Sequence, residues 1–272
     1  MLAANNAFQR PGSGLWLARL WSARELLWAL TVRDLQVRYK QSMLGPAWAI
    51  VQPLAQAVIF TLAFGYFVKV PTDGVPYPIF AYGAMVPWTL FSSAINSGSP
   101  SIVGHSSLIT KTYFPREVLP LAAIASCFFD FLTASLVLVP MMIWFRMPPS
   151  VHLVWLPLLI GMILVFSAGI TFALSALNVF WRDIRSVLPL ALQLWMFASP
   201  IVYPITLVPE RYRTLYSLNP MVGIIDGFRR VLLHRQAPDL PLLLLGLPAV
   251  FITLLIGYRV FIALERRFAD VV

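Results

Sequence analysis

Six stretches of the chain are apolar almost without interruption: Trp48 to Val68, Ile79 to Ile102, Val118 to Phe145, Leu153 to Leu177, Val187 to Tyr203 and Leu240 to Leu264. Each approaches the roughly 20 residues that a helix rising about 1.5 Å per residue needs to cross about 30 Å of hydrocarbon. Strands fit poorly, because polar and apolar positions do not alternate and the runs far exceed a barrel strand of about 10 residues. The pattern predicts an all-α integral membrane protein with six transmembrane helices. Its first run begins only after about 45 residues of mixed polarity, which does not fit a cleavable signal peptide.

Two segments outside the runs have helical patterns of their own. Before the first run, Ser22 and Glu25 form a capping box that predicts a helix start near Ala23. Trp28, Val32, Leu35 and Tyr39 then recur at i, i+4, i+7 and i+11, with Arg33, Asp34, Arg38 and Lys40 off that stripe. This is the pattern of an amphipathic helix lying in the membrane interface. Such a helix is either a simple anchor or an element that moves with a soluble partner. We therefore divide the chain into an N-terminal segment, residues 1–45, and a membrane domain, residues 46–272.

The second segment, residues 204–239, is too charged to cross a bilayer yet reads as two short helices. Pro209 and Glu210 suit the first turn of one, and Asn219 with Pro220 supplies an N-cap and an N1 proline for the other. In the latter, Ile224, Ile225, Phe228, Val231 and Leu232 share a side, while Asp226 and Arg230 are spaced to pair at i, i+4. Irregular backbone at membrane depth is tolerated only against protein or a water-filled cavity. The segment is expected to be re-entrant, either a lid over a pathway or an ordinary interfacial hairpin.

Composition sharpens the class. The 272 residues are 59% hydrophobic and 11% charged, against about 25% charged in a soluble domain. Twenty Lys+Arg against eleven Asp+Glu give a net charge of +9, which in a soluble protein would point to nucleic acid. Here the basic residues fall between the apolar runs and read as topology signals, so no nucleic-acid partner is expected. Placing both termini in the cytoplasm puts thirteen of the twenty on that side, as the positive-inside rule asks. Cys127 is the sole cysteine, and His105, His152 and His234 lie in separate loops, so neither an intrachain disulfide nor a metal site is expected.

Catalytic constellations are absent from the pattern. No G-x-x-x-x-G-K-[ST] loop occurs, so any nucleotide-driven work must be done by another polypeptide. Asp130 is the only acid deep in a run, where a charge costs roughly 2.5 to 3.5 kcal/mol on insertion scales; it should be neutral or hydrogen-bonded within the bundle. The runs offer polar and aromatic lining instead. Phe60, Phe64 and Phe67 share one face of the first run and Gln52 with Gln56 another patch, while the second carries Trp88, Phe91, Ser92, Ser93, Asn96, Ser97 and Ser99. Such a stripe should avoid lipid and meet a helix or a cavity. Aromatic faces flanked by hydroxyls and amides suit sugars, although helix packing accounts for any single one of them equally well.

At this point a family resemblance emerges. RYKQSMLGPAWAIVQP at 38–53, SLITKTYFPREVLPLA at 107–122, NVFWRDIR at 178–185, FASPIVYP at 197–204 and LNPMVGIIDGFRR at 218–230 resemble the permease subunits of ABC transporters that export polysaccharides, in particular the O-antigen (Wzm-like) branch. The resemblance implies a homodimer in the inner membrane bound to two copies of a separate ABC ATPase subunit. That subunit would hold ATP and Mg, with no cofactor in this chain. It implies a cytoplasmic coupling helix over residues 107–116, ended by Pro115, with Lys111, Tyr113, Phe114 and Arg116 as ATPase-coupling residues. Arg182, Asp183 and Arg185 would form a second contact. It also implies that residues 204–239 gate the external exit, through Tyr212, Tyr216, Asn219 and Arg230, and that the substrate is a polysaccharide on a polyprenyl diphosphate. The candidate path residues are then Phe60, Phe64, Phe67, Trp88, Phe91 and Asn96. Export of capsular polysaccharide or teichoic acid is the alternative within transport, and an integral-membrane enzyme on a lipid-linked sugar the alternative outside it. The latter is disfavoured by the lack of a carboxylate pair.

Overall fold

The computed structural model describes residues 21–40, 42–112 and 114–268, and among them it consists of helices and turns without a strand. In chain order these are α1 (Arg24–Tyr39), α2 (Trp48–Phe60, continuing as a π-helix over Thr61–Phe67), α3 (Tyr77–Gly98), α4 (Ser101–Gly104), α5 (Ser106–Lys111), α6 (Val118–Ser135), α7 (Leu138–Trp144) and α8 (Leu156–Phe180). They are followed by α9 (Ile184–Phe197), α10 (Glu210–Ser217), α11 (Pro220–Arg229, continuing as a π-helix over Arg230–His234) and α12 (Leu240–Glu265). Five segments are long and apolar enough to span a bilayer: Gly45–Phe67, Tyr77–Gly98, Val118–Trp144, Val151–Phe180 and Leu240–Glu265.

The expected fifth run becomes something shorter. Its helix, α9, has 14 residues, which reach only about 21 Å at 1.5 Å each. It stops at Phe197 because Pro200 has no N–H to offer the Met196 carbonyl and disfavours helical backbone at Ser199. The third run is broken for a similar reason. Pro140 cannot donate to Leu136 and its ring crowds that carbonyl, and the helix is interrupted there, between Ser135 and Leu138.

The least apolar of the five spanning segments, α3, is the most buried, with 78% of its window inside the protein against 22% for α12. Polar groups on a spanning helix are unfavourable against lipid, so the helix that carries them goes to the centre and the purely apolar one faces outward. α6, α8 and α11 surround α3. Phe91 stacks on Phe166 with centroids 5.2 Å apart, and Trp195 meets both rings edge-on. α8 and α12 touch through glycine: a methyl group on Gly257 would stand 1.8 Å from the Gly169 carbonyl oxygen, the close approach that small residues permit between membrane helices.

α1 begins where expected but not in the expected way. Trp21 and Ser22 are already helical, so the N-cap falls on Ala23, with no side-chain cap. The helix lies along α6, and its inward face is Ala23, Leu30 and Thr31 rather than the Trp28 stripe. Trp28 lies on the other side, exposed while its ring edge meets Phe129 of α6 at 5.9 Å.

Candidate functional site

A polar groove runs between α2 and α3. Gln52 and Gln56 from one wall face Thr89, Ser92 and Ser93 from the other, with Trp48 and Trp88 as aromatic borders, around a space of about 430 Å³. It is continuous, through Trp48, Gln52, Thr89 and Ser93, with a second space of about 400 Å³ that adds Ser97, Arg38, Tyr39 and Asp130. Helical periodicity builds this lining: Thr89, Ser92, Ser93 and Ser97 fall at i, i+3, i+4 and i+8 on α3, while Gln52 and Gln56 are one turn apart on α2. Of the sequence-predicted path residues, Trp88 lines this groove. Phe91 does not, being fully buried in the aromatic stack. Phe60 and Phe64 pair edge-on at 6.0 Å and pack against the core, Phe67 is exposed, and Asn96 is exposed on α3 outside the groove.

Asp130 closes the α1 end of the groove, and it is not alone. Arg38 of α1 forms an ion pair with one carboxylate oxygen, and the Tyr39 hydroxyl donates to the other at 2.6 Å. Arg38 also donates to Ser126 Oγ at 3.3 Å. Burial, then the hydrogen bond to Asp130, push the Tyr39 phenol up to about 12, so it stays a donor throughout the physiological range. The carboxylate is thus balanced by a cation and a donor that both belong to the interface helix. Sequence reading did not pair Arg38 with Asp130: a lone acid in a membrane segment calls for a cation, but Arg116 and Arg146 are both nearer in sequence than Arg38, 92 positions away.

A further tie joins α1 to the α4–α5 turn. Arg33 contacts the His105 imidazole, Asp34 lies 4.0 Å from the same ring, and His105 Nδ1 is 2.7 Å from the Ser101 carbonyl. Beyond it α5 ends at Lys111, where Thr112 turns extended, so the helix stops short of Pro115. Lys111 is exposed; Phe114 is buried among Ile109, Val118 and Phe268, and Arg116 donates to the Glu265 carbonyl at 2.6 Å at the end of α12. These two side chains therefore turn inward. Tyr113 lies outside the described residues. Arg182 and Asp183, with Trp181, form an exposed loop between α8 and α9, and Arg185 is exposed in the first turn of α9.

The opposite end is held by two residues. Asn219 uses all four of its amide positions. Its oxygen accepts from Met221 N, capping α11, and from Trp195 Nε1, both at 3.1 Å; its nitrogen donates to the Ala198 carbonyl and to Ser199 Oγ at 3.3 and 3.1 Å. Arg229 is buried, and its guanidinium donates to the Pro200 and Ile201 carbonyls at 2.5 Å and to those of Phe80 and Tyr203 at 3.3 Å, lying over the Phe80 ring at 3.5 Å. It thereby satisfies three carbonyls of the turn that follows α9 and ties that turn to α3 through the Phe80 carbonyl. Burial pulls the Arg229 pKa down, with Asp226 opposing. Sequence reading singled out Arg230 and passed over Arg229; the signal available was a basic residue one turn from Ile225, on the apolar side.

Arg230 makes the expected i, i+4 pair with Asp226 at 2.7 Å, and also reaches Asp239, the N-cap of α12, at 3.3 Å. Tyr216 shares a hydrogen bond of 3.0 Å with Tyr203, and Tyr212 is half exposed with Arg211 over its ring. Of the sequence-predicted gate residues, Tyr212, Tyr216 and Asn219 line one open space, while Arg230 lines another with Asp226 and Arg229; no group of three metal-ligating side chains occurs among the described residues.

The family model for ABC-2 type transporters matches residues 25–233. An O-antigen export system permease protein RfbA of Klebsiella pneumoniae is 30% identical over 249 residues, covering 91% of this chain and 95% of the relative. Its namesake in Myxococcus xanthus is 29% identical over 255 residues, covering 92% and 96%. The polysialic acid transport protein KpsM of Escherichia coli is 25% identical over 213 residues, covering 75% of this chain and 80% of its own.

Proposed function

This chain belongs to the ABC-2 type transporter family, and from that premise we propose that it is the membrane subunit of an ATP-driven exporter of lipid-linked polysaccharide of the O-antigen type. One observation carries the reading: the similarity to O-antigen export permeases covers nine-tenths of the chain, whose α2 and α3 line a groove with hydroxyls, amides and indoles. Sugars stack their C–H faces on aromatic rings and exchange hydrogen bonds with such groups, whereas lipid tails find no partner there.

In this proposal two copies of the chain join two ATPase subunits, which hold ATP and Mg, and the substrate is a glycan on a polyprenyl diphosphate in the inner membrane. Both termini are cytoplasmic, so α9 counts as a sixth crossing completed by its turn, and α10 and α11 are re-entrant. Residues 1–45 are the interface segment and 46–272 the permease domain. Lys111, Arg182, Asp183 and Arg185 are the exposed groups that meet the ATPase, while Phe114 and Arg116 act by positioning the loop. Displacement of α4–α5 reaches α1 through His105 and Arg33. Movement of α1 then disturbs the Arg38–Asp130 contact at the groove's α1 end. Lying between Tyr203, Tyr216 and Asn219, the far end is the exit gate.

Affinity purification in mild detergent tests this: an ATPase should copurify at equal stoichiometry, and Arg182→Ala with Arg185→Ala should lower both recovery and surface glycan. Export of capsular polysaccharide is the second reading, favoured by the similarity to KpsM. Complementation decides it, since this chain with its ATPase should restore O-antigen to a permease-deficient strain and not capsule.

A further inference from the structure

The break in the third span leaves a cleft. Where Pro140 interrupts the helix between α6 and α7, a space of about 880 Å³ opens against the start of α8 and the back of α11, walled by Phe131, Leu138, Leu156, Phe228 and Leu232. The wall is almost wholly apolar, and Ser135, its one hydroxyl, is occupied with the Phe131 carbonyl at 2.7 Å. Leu132, Val139 and Ile143 at its mouth are exposed, so it opens sideways, toward the bilayer. Water would find no partner inside, and a hydrocarbon chain fits.

At the gate end of this cleft stands Arg146. It is exposed and has no side-chain partner among the described residues. Its backbone is left-handed, with φ 55°, at a helix end where glycine would be the unstrained choice. Lys69, ending the first spanning segment at the same side of the bundle, has φ 57°. A helix C-terminus favours a cation there, and so does a phosphate at headgroup depth.

We infer that this cleft is a binding site for an anionic phospholipid, one acyl chain between α6–α7 and α8 and the headgroup phosphate on Arg146. The occupant is a phospholipid of the surrounding leaflet because the cleft opens to lipid along its length while its single cation lies at the surface. Between lipids of equal tails the choice rests on charge, since within a bilayer there is no hydrophobic gain to separate them. Phe228 and Leu232 make the back wall, so the bound chain braces the helix that carries Arg229.

Native mass spectrometry of the delipidated full-length protein, titrated with phosphatidylglycerol and phosphatidylethanolamine of identical tails, tests the site. Wild type should retain one phosphatidylglycerol per copy with about fivefold preference. Arg146→Gln should lose the preference, Arg146→Lys should keep it, and Val139→Trp at the mouth should exclude both lipids. Unchanged preference in Arg146→Gln overturns the proposal. So does full retention in Val139→Trp, or a protein purified from cells whose adduct has the mass of a polyprenyl phosphate.

Discussion

Two charged residues of this bundle, Asp130 and Arg229, are held in opposite ways. Asp130 is neutralised by Arg38 and Tyr39, two side chains on a helix that packs along the outside of α6. Arg229 is surrounded by the main-chain carbonyls of Phe80, Pro200, Ile201 and Tyr203. A contact made by side chains of a peripheral helix separates when that helix shifts. A contact made by carbonyls of the fold separates only when the fold does. The Asp130 contact is therefore built as a latch and the Arg229 contact as a clamp.

The clamp should be the more expensive to break. Arg229→Met leaves four carbonyls without their donor, and with charged hydrogen bonds worth about 1.5 to 3 kcal/mol each, stability in detergent should fall by more than about 3 kcal/mol. Arg229→Lys should recover less than half, since an ammonium cannot reproduce a planar fork lying on Phe80. Thermal unfolding followed by monodispersity measures both; a Lys variant as stable as wild type would mean that charge alone matters and that no clamp exists.

Asn219→Ala comes next, at about 2 to 3 kcal/mol, because the residue ties α9 to α11 besides capping the helix. Asn219→Asp keeps the cap and the Trp195 acceptor but loses both donated bonds, and should recover about half the loss.

The latch should cost less and behave as a pair. Asp130→Asn and Arg38→Gln should each destabilise by about 1 to 2 kcal/mol, and the double variant by less than their sum, with a coupling of about 1 kcal/mol. Export should survive Asp130→Asn, since the carboxylate pairs with a cation rather than relaying protons. Abolished export in a folded Asp130→Asn protein would make the latch a proton site. Smallest is Tyr216→Phe, about 0.5 to 1.5 kcal/mol, detected as higher ion conductance of the reconstituted protein at unchanged stability ranking.

The sequence made much of this legible where the cause is local. Apolar length located the spans, Asn219-Pro220 located the start of α11, and Asp226 with Arg230 paired at the expected spacing. The fifth run is apolar to Tyr203, but Pro200 ends its helix early, a local signal that apolar length alone misses. The other failures have non-local causes. Trp28 marks an exposed apolar face of α1, while protein takes the face with Leu30. Phe91 and Trp88 are one turn apart on α3, yet only the packing of α8 and α9 decides that Phe91 is core and Trp88 lines the groove. Arg38 and Asp130 meet across 92 positions of chain, a distance at which periodicity carries no information.

The central claim is that glycan moves along the groove between α2 and α3. A photo-crosslinking amino acid at Gln56, on the groove wall, and one at Ile256, exposed on the outer face of α12, test it in cells making the polysaccharide. Illumination should give a glycan-bearing ladder on the chain from position 56 and none from 256. A ladder from both positions, or from 256 alone, would contradict it.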